Sequence, residues 1–197
     1  ARLFDEVHGF DHSQACVELA RRRVTRSRVE RARSVNVKRA AAAPKRFRGT
    51  FDAVLCVNVA IAPKRRAWQG VLRSASALLK PDGRLLLVVP SVESAALIAK
   101  AEQSENGPTA DGGSKLDSIP SEKGIVSIEG VPTKHYSRTE LGETLSKLGL
   151  QVDRIRKVEY SWRSQAVKPP PELRDTHPWD WLAIACNTEP AATRNAA

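Results

Sequence analysis

The chain has 197 residues, of which 41% are hydrophobic, and it carries a formal net charge of +10 at pH 7. This length and composition fit one globular domain built around a single core. No long apolar run and no export signal is visible, which argues against a membrane protein and predicts a cytoplasmic chain. Three widely spaced cysteines predict buried thiols and neither a disulfide framework nor a metal site; they are Cys16, Cys56 and Cys186.

The positive charge is concentrated between residues 21 and 48, which hold twelve Lys or Arg and one acidic residue. Clustered basic side chains can neutralise phosphates, so one interpretation is a nucleic-acid site. The other is a solvated helix and loop, because these arginines would point in many directions and no aromatic residue lies between Arg21 and Phe47 to stack on bases. A small-molecule partner is therefore expected in preference to nucleic acid, which stays an alternative.

The first predicted elements are a strand and a helix. Val7 to Asp11 reads as a buried strand that ends on a carboxylate, and Ser13 is placed to begin a helix that continues into the arginines. The sequence "SVNV" after that helix indicates a short second strand.

The next segment alternates between strands and helices. "FDAVLCVNVAIA" at 51–62 is almost uniformly apolar, as expected of a strand that is covered on both faces. Apolar residues at helical spacing predict an amphipathic helix over 68–79. "KPDG" then predicts a turn with Pro81 at its second position and Gly83 at its fourth. "RLLLVVPS" predicts a further apolar strand, after which Ser91 can cap a helix that ends near Ala99.

The last part of the chain begins with a polar segment. A loop or lid is predicted over 100–135, with a short hairpin at 124–133. Ser137 and Glu140 have the spacing of a capping box and predict a helix. "LQVDRIRKVEYSW" and "WDWLAIACN" predict two strands with no helix between them, so they should pair antiparallel. Residues 188–197 are expected to form a disordered tail.

Together these elements predict the α/β fold class. Alternating strands and helices favour right-handed crossovers, a Rossmann-like, mostly parallel sheet and helices on both faces. The C-terminal antiparallel strand pair closes one edge of that sheet. The predicted domain spans residues 1–187.

The chain resembles the class I S-adenosylmethionine-dependent methyltransferases. The resemblance lies in "VHGFDHSQACVELA", "FDAVLCVNV", "LLKPDGRLLLVVPS" and "HYSRTELGETLSKLGLQVDRIRKVEYSW", in this order. It implies S-adenosylmethionine as cofactor and transfer of its methyl group to an acceptor, expected to be a small molecule. An RNA methyltransferase or RNA-binding module, and a noncatalytic scaffold of the same fold, remain alternatives.

The resemblance also assigns cofactor-binding residues. Asp11 takes the family's acidic position at the end of the second strand, where a carboxylate accepts hydrogen bonds from the ribose hydroxyls; alternatively, Asp11 only caps the following helix. Phe10 and His12 would flank the adenosine. Val57 and Asn58 match the end of the family's fourth strand, near the methionine part and the methyl group. Asn58 is followed by Val-Ala-Ile and not by Pro-Pro-aromatic, which disfavours methylation of adenine or amide nitrogen.

One part of the family pattern has no counterpart in this sequence. The first strand and its glycine-rich turn are absent, so the sheet is expected to lack that strand. The simplest interpretation is an N-terminal truncation of the domain. The alternatives are a degenerate copy that does not bind the cofactor and a partner chain that donates the strand.

Candidates for substrate contact or a general base are His135 and Tyr136, which precede the capped helix. The alternative is that Tyr136 staples this helix and His135 is a solvated loop residue. Three tryptophans could line an aromatic pocket, but alternation along edge strands favours core packing; they are Trp162, Trp179 and Trp181. Asp180 is expected to point to solvent on the opposite face.

Overall fold

The computed structural model of the protein describes residues 4–26, 32–39, 45–106, 123–128, 130–165 and 167–188. The chain divides into two compact units, Ala1–Arg48 and Gly49–Ala197, and each is described by itself. In the described ranges, no helix is both long and apolar enough to span a bilayer.

The first unit is a strand, a helix and a second strand. It contains β1 (Phe4–Asp11), α1 (Gln14–Arg26), β2 (Ala32–Arg39) and a short 3-10 helix at Lys45–Phe47. β1 and β2 run parallel, with Val7 opposite Val35. Ser13 begins α1 as predicted, because its Oγ accepts a hydrogen bond from the backbone N–H of Cys16 at 3.3 Å. Residues 27–31 and 40–44 of the arginine-rich segment lie outside the described residues.

The second unit holds most of the chain. Its helices are α2 (Arg65–Leu78), α3 (Val92–Asn106) and α4 (Arg138–Ser146). Its strands are β3 (Phe51–Val57), β4 (Leu79–Pro90), β5 (Ile125–Ile128), β6 (Val131–Lys134), β7 (Leu150–Glu159) and β8 (Trp179–Asn187).

The main sheet of this unit has the strand order β3-β4-β8-β7. β3 and β4 are parallel, while β8 runs antiparallel to both of its neighbours. β5 and β6 form a separate antiparallel hairpin within the region predicted as a loop or lid. The predicted α/β class and the C-terminal antiparallel pair are thus confirmed.

The core of the second unit lies on one face of this sheet. Alternate residues of β4, such as Leu85 and Leu87, are fully buried there because successive side chains of a strand point to opposite faces. Leu72 of α2 and Leu141 and Leu145 of α4 belong to the same apolar cluster. α3 contributes to a second cluster together with the loops that follow β7.

β3 differs from its prediction as a strand covered on both faces. Leu55 is 70% exposed and Val57 is 47% exposed, whereas Cys56 between them is buried in the core. The reason is that β3 is an edge strand: among the described strands it pairs with β4 only, as β1 pairs with β2 only.

The predicted turn at 80–83 is part of β4 in the structure. Phe51 pairs with Leu79 and Ala53 with Arg84, so the intervening residues bulge out of the ladder. Asp82 takes a left-handed conformation there, with φ 61°. The helix before it ends at Leu78, directly before the strand.

Three further expectations need correction. α3 continues through Asn106, past the predicted end at Ala99, so the first residues of the predicted lid are helical. β7 ends at Glu159, and Trp162 lies in a 3-10 helix where it is buried in the second cluster. Cys16 is exposed, because its helix turns the neighbouring residue Val17 inward.

Two predictions lie outside the described residues. The central part of the predicted lid, 107–122, and residues 189–197 of the predicted tail are not described.

Candidate functional site

A cavity of about 380 Å³ opens at the carboxyl ends of β3 and β4. In α/β sheets, ligands bind at this edge of the parallel strands. Its apolar lining is Pro90, Ala95, Ile98 and Ile128. Its polar lining includes Asn58, Ser94, Glu102, His135, Tyr160 and Asp180. All of these residues belong to the second unit.

Two strand ends bring Asn58 and Asp180 together. Asn58 follows β3, and its backbone N–H donates to the carbonyl oxygen of Val88 in β4 at 2.9 Å. Asp180 lies near the start of β8 and pairs with Pro90, the last residue of β4. Asn58 has a left-handed backbone with φ 51°, which asparagine tolerates better than most residues. Its Nδ2 donates to Oδ2 of Asp180 at 3.3 Å.

Backbone hydrogen bonds hold His135 beside the same strand end. The next residue, Tyr136, donates its N–H to the carbonyl oxygen of Pro90 at 2.9 Å and accepts from the N–H of Val92 at 3.1 Å. His135 itself donates its N–H to the carbonyl oxygen of Gly124 at 2.7 Å. The segment between β6 and α4 is therefore fixed to the end of β4, and His135 is among the residues that line the cavity.

The His135 ring has one nitrogen that can accept a hydrogen bond. Its side chain is buried, and Nδ1 lies 3.1 Å from the carbonyl oxygen of Thr133. Because a carbonyl can only accept, Nδ1 carries the proton and Nε2 keeps its lone pair. Burial lowers the pKa of His135, so the ring is neutral at pH 7. A neutral imidazole with an unprotonated Nε2 can act as a general base.

The acidic and phenolic groups of the cavity are also perturbed by burial. Burial raises the pKa of Asp180, and the hydrogen bond from Asn58 opposes that rise. Burial likewise raises the pKa of Tyr160, with a further contribution from the nearby charge of Asp180. A hydrogen bond with Ser94 opposes the change at Tyr160. The expectation that Asp180 points to solvent is therefore wrong, since its position beside Pro90 turns it into the cavity.

The surroundings of Tyr136 are those of a residue that stabilises the core. It is fully buried, its hydroxyl donates to the carbonyl oxygen of Ala60 at 2.6 Å, and its ring makes an edge contact with Trp68. Burial raises the pKa of Tyr136, which keeps its hydroxyl protonated. Tyr136 is not among the residues that line the cavity.

The tryptophans considered for an aromatic pocket do not line this cavity either. Trp162 and Trp181 are buried in the two apolar clusters. Trp179 packs edge-on against Trp181, and Nζ of Lys157 lies 3.6 Å from its ring centre. Core packing therefore accounts for these side chains.

In the first unit, Asp11 ends β1 and faces the start of α1. Its Oδ1 accepts a hydrogen bond from the backbone N–H of Ser13 at 2.8 Å, and the side chain is 43% exposed. Oδ2 makes no hydrogen bond within the described residues, so it can still accept one from a ligand hydroxyl. Phe10 is half-buried with its ring centre 5.5 Å from that of Phe47, and His12 is 85% exposed beside Asp11.

The two residues predicted at the end of β3 have different surroundings. Asn58 lines the cavity, together with His135. Val57 is exposed at the edge strand and is not a lining residue.

Sequence reasoning missed Asp180 and Tyr160 as cavity residues. The sequence pattern of β8 could have indicated Asp180. It is the only acidic residue in this apolar strand and lies next to its beginning. Because β8 is antiparallel to β4, its beginning lies at the carboxyl end of β4. An acidic residue at that position faces the same edge as Asn58.

Comparison with known proteins agrees with this architecture. Residues 1–85 match the family model described as a methyltransferase domain. No protein with a curated functional description matches the sequence. Among solved structures, a SAM-dependent methyltransferase from Methanosarcina mazei is 15% identical with a TM-score of 0.65, over 92% of this chain and 82% of that one.

Two solved methyltransferases with known ligands are also similar in fold. Magnesium protoporphyrin IX methyltransferase from Synechocystis PCC 6803, with bound SAH, is 12% identical with a TM-score of 0.58, over 95% of this chain and 74% of that one. The 1,6-didemethyltoxoflavin-N1-methyltransferase from Burkholderia thailandensis is 18% identical with a TM-score of 0.50, over 92% of this chain and 61% of that one. The match of residues 1–85 to the methyltransferase-domain model and the fold shared with solved SAM-dependent methyltransferases agree with the resemblance to the class I S-adenosylmethionine-dependent methyltransferases.

Proposed function

We propose that this protein transfers the methyl group of S-adenosylmethionine to a small-molecule acceptor. The observation that carries the proposal is the cavity at the carboxyl ends of β3 and β4, where Asn58, His135 and Asp180 converge. The match of residues 1–85 to a methyltransferase-domain model and the fold shared with a methyltransferase that holds bound SAH support S-adenosylmethionine as the cofactor. When bound, S-adenosylmethionine offers a methyl group on a positively charged sulfur, whose C–S bond breaks with the electron pair left on sulfur.

Asp11 suits the ribose of this cofactor. One of its carboxylate oxygens is used by the backbone of Ser13, and the other is available to a ribose hydroxyl. The hydrogen bond from the N–H of Ser13 and the contact with the ribose would use different carboxylate oxygens, so Asp11 would serve both. Phe10 and His12 beside the adenosine, and Val57 and Asn58 beside the methionine part, are proposed on the family pattern.

His135 would remove the proton that the acceptor loses. A methyl group on a sulfonium is already activated, so the protein mainly has to align the acceptor and exclude water. An acceptor with an N–H or O–H group also needs a proton acceptor close by. The neutral ring of His135, with Nδ1–H held by Thr133, presents Nε2 for this role.

The charge of the cavity favours a small molecule over nucleic acid. Asp180 and Glu102 line it, and no lysine or arginine is found among its described lining residues. A phosphate backbone would be repelled by this lining. The arginine-rich segment at 21–48 stays the basis of the alternative, an RNA methyltransferase or RNA-binding module.

Cofactor binding tests the first half of the proposal. We expect S-adenosylmethionine and S-adenosylhomocysteine to bind the full chain in isothermal titration calorimetry. Asp11→Asn should weaken binding about tenfold or more, because it removes a charged acceptor and keeps an oxygen for the N–H of Ser13. Asp5→Asn is the matched control, since Asp5 is exposed in the same strand. No binding by the wild-type chain, or equal effects of the two substitutions, would contradict the proposal.

The acceptor class is tested by following the formation of S-adenosylhomocysteine. The protein is incubated with S-adenosylmethionine and either the small-molecule fraction or the total RNA of a cell extract. We expect product with the small-molecule fraction only. Product with RNA alone would support the alternative. No product in either case, with the cofactor bound, would favour a noncatalytic scaffold.

A further inference from the structure

We propose that the cavity at Asp180 recognises a protonated amine, so that the methyl acceptor is a small molecule with a cationic nitrogen. This inference rests on the proposed function and adds the chemical class of the substrate. It comes from the balance of charges and of hydrogen-bond donors and acceptors in the cavity lining.

The charge of the lining contrasts with that of the whole protein. The chain has a net charge of +10, yet two carboxyl groups and no lysine or arginine are found among the described lining residues. Glu102 is 5% exposed and already interacts within the protein. Asp180 is half-buried and receives one side-chain hydrogen bond, from Asn58. Partial removal of a carboxylate from water is costly unless an opposite charge or hydrogen-bond donors compensate, and a cationic ligand supplies both to Asp180.

Three hydrogen-bond donors of the cavity lining are engaged within the protein. Ser91 Oγ donates to Oε2 of Glu93 at 2.8 Å, and Ser164 Oγ donates to the carbonyl oxygen of Ser161 at 2.7 Å. Nδ1–H of His135 is directed to Thr133. These three groups therefore do not serve a carboxylate or phosphate of a ligand.

The acceptors, in contrast, are available to a ligand. Oδ2 of Asp180 receives one hydrogen bond, from Asn58, and Oδ1 makes no side-chain hydrogen bond within the described ranges. Nε2 of His135, which is a lining residue, keeps its lone pair. An ammonium group has three N–H donors and a positive charge, which fits one carboxylate and one neutral imidazole.

The same arrangement accounts for the chemistry that an amine requires. A protonated amine must lose a proton before its nitrogen lone pair can form a bond to carbon. Asp180 would hold the ammonium group through one N–H, and Nε2 of His135 would take a second proton to become an imidazolium. The nitrogen lone pair then forms the N–C bond to the methyl group, and the electron pair of the broken C–S bond stays on sulfur. Water recovers the proton from His135.

Three probes of the same size test the recognition step without the cofactor. Benzylamine is a cation at neutral pH, benzyl alcohol is neutral and benzoate is an anion, while their shared ring suits the apolar lining. Binding is measured from amide shifts in ¹⁵N-correlated NMR spectra of the full chain. We expect benzylamine to shift the signals of Asn58, Ser94 and Asp180 saturably, and benzoate to leave them unchanged.

The variant Asp180→Asn should weaken benzylamine binding about tenfold, because a charged partner is replaced by a neutral one of equal size. Asp175→Asn is the control, since Asp175 is exposed and does not line the cavity. Unchanged signals elsewhere in the Asp180→Asn spectrum verify that the variant is folded. Benzoate binding as strong as that of benzylamine, or equal affinity in wild type and Asp180→Asn, would overturn the proposal.

A final measurement separates an acceptor site from a site for the cationic methionine part of the cofactor. Benzylamine is titrated again with saturating S-adenosylhomocysteine. Retained binding supports an acceptor site, and loss of binding overturns it. Because the first titrations need no cofactor, a failure of S-adenosylmethionine to bind would contradict the proposed function while the amine-recognition result remains interpretable.

Discussion

The side-chain amide of Asn58 donates a hydrogen bond of 3.3 Å to the carboxylate of Asp180, 122 residues further along the chain. The contact joins the end of β3 to the beginning of β8 across β4. It depends on the left-handed backbone of Asn58, which follows the last residue of β3. The contact also affects the charge of the cavity lining, because it lowers the pKa of a carboxyl group whose burial raises it.

Asn58→Gly should raise the pKa of Asp180 above its wild-type value. Glycine adopts φ 51° without strain, so the backbone is kept while the amide donor is lost. The measurement is a pH titration of the Asp180 carboxyl by ¹³C NMR. Asp52 is the internal control: Lys80 lowers its pKa through a hydrogen bond and charge, and this pair should be unaffected. An unchanged titration of Asp180 would show that the amide does not stabilise the carboxylate.

The free energy of unfolding should fall less in His135→Gln than in wild type when the pH is lowered from 7.5 to 5.5. Burial lowers the pKa of His135 in the folded state, so the unfolded chain takes up the proton first as the pH falls. Stability from the neutral ring is fully present above the unfolded pKa of about 6.5 and is lost as the pH falls towards the folded pKa. Urea unfolding at pH 7.5 and 5.5 should show a smaller decrease for the variant than for wild type.

The control for this experiment is His177→Gln, since His177 is exposed. It should keep the wild-type pH dependence. Asp180 acts in the opposite direction, because its raised pKa favours the folded state on protonation, and it is present in all three proteins. Equal pH dependence of wild type and His135→Gln would contradict the assigned environment of His135.

Tyr136→Phe should lower the free energy of unfolding by about 1–2 kcal/mol. The substitution removes a buried hydroxyl and leaves the carbonyl oxygen of Ala60 without its 2.6 Å hydrogen bond. Tyr160→Phe, at a half-buried residue, should have a smaller effect. Chemical denaturation of both variants provides the comparison, and a larger loss for Tyr160→Phe would show that the Tyr136 hydroxyl is not a stabilising contact.

Leu87→Ala and Leu55→Ala should differ strongly in stability although they remove the same atoms from neighbouring strands. Leu87 is fully buried, so its truncation should cost about 2–5 kcal/mol. Leu55 is 70% exposed at the edge strand, so its truncation should cost under about 0.5 kcal/mol. Denaturation midpoints measure both, and similar losses would show that the open face of β3 is covered in solution.

Much of the fold was predictable because it depends on local patterns. The Ser13 and Ser137 caps and the antiparallel C-terminal strands follow from side-chain chemistry and hydrophobic periodicity within short segments. The position of Asp11 at the end of β1 was likewise predictable from the sequence. Element ends were less predictable: α3 extends to Asn106 because helical packing continues into a segment whose composition resembles a loop.

The sequence by itself determined the alternation of strands and helices, their caps and the family resemblance, because each of these depends on residues close together in the chain. Only the tertiary structure decided which candidates share a cavity. Asn58, His135 and Asp180 come from three distant segments, and the pairing of β8 with β4 and the attachment of Tyr136 to Pro90 bring them to one edge of the sheet. The same packing buried Tyr136 and turned Asp180 inward, because burial depends on neighbours that the linear sequence does not identify.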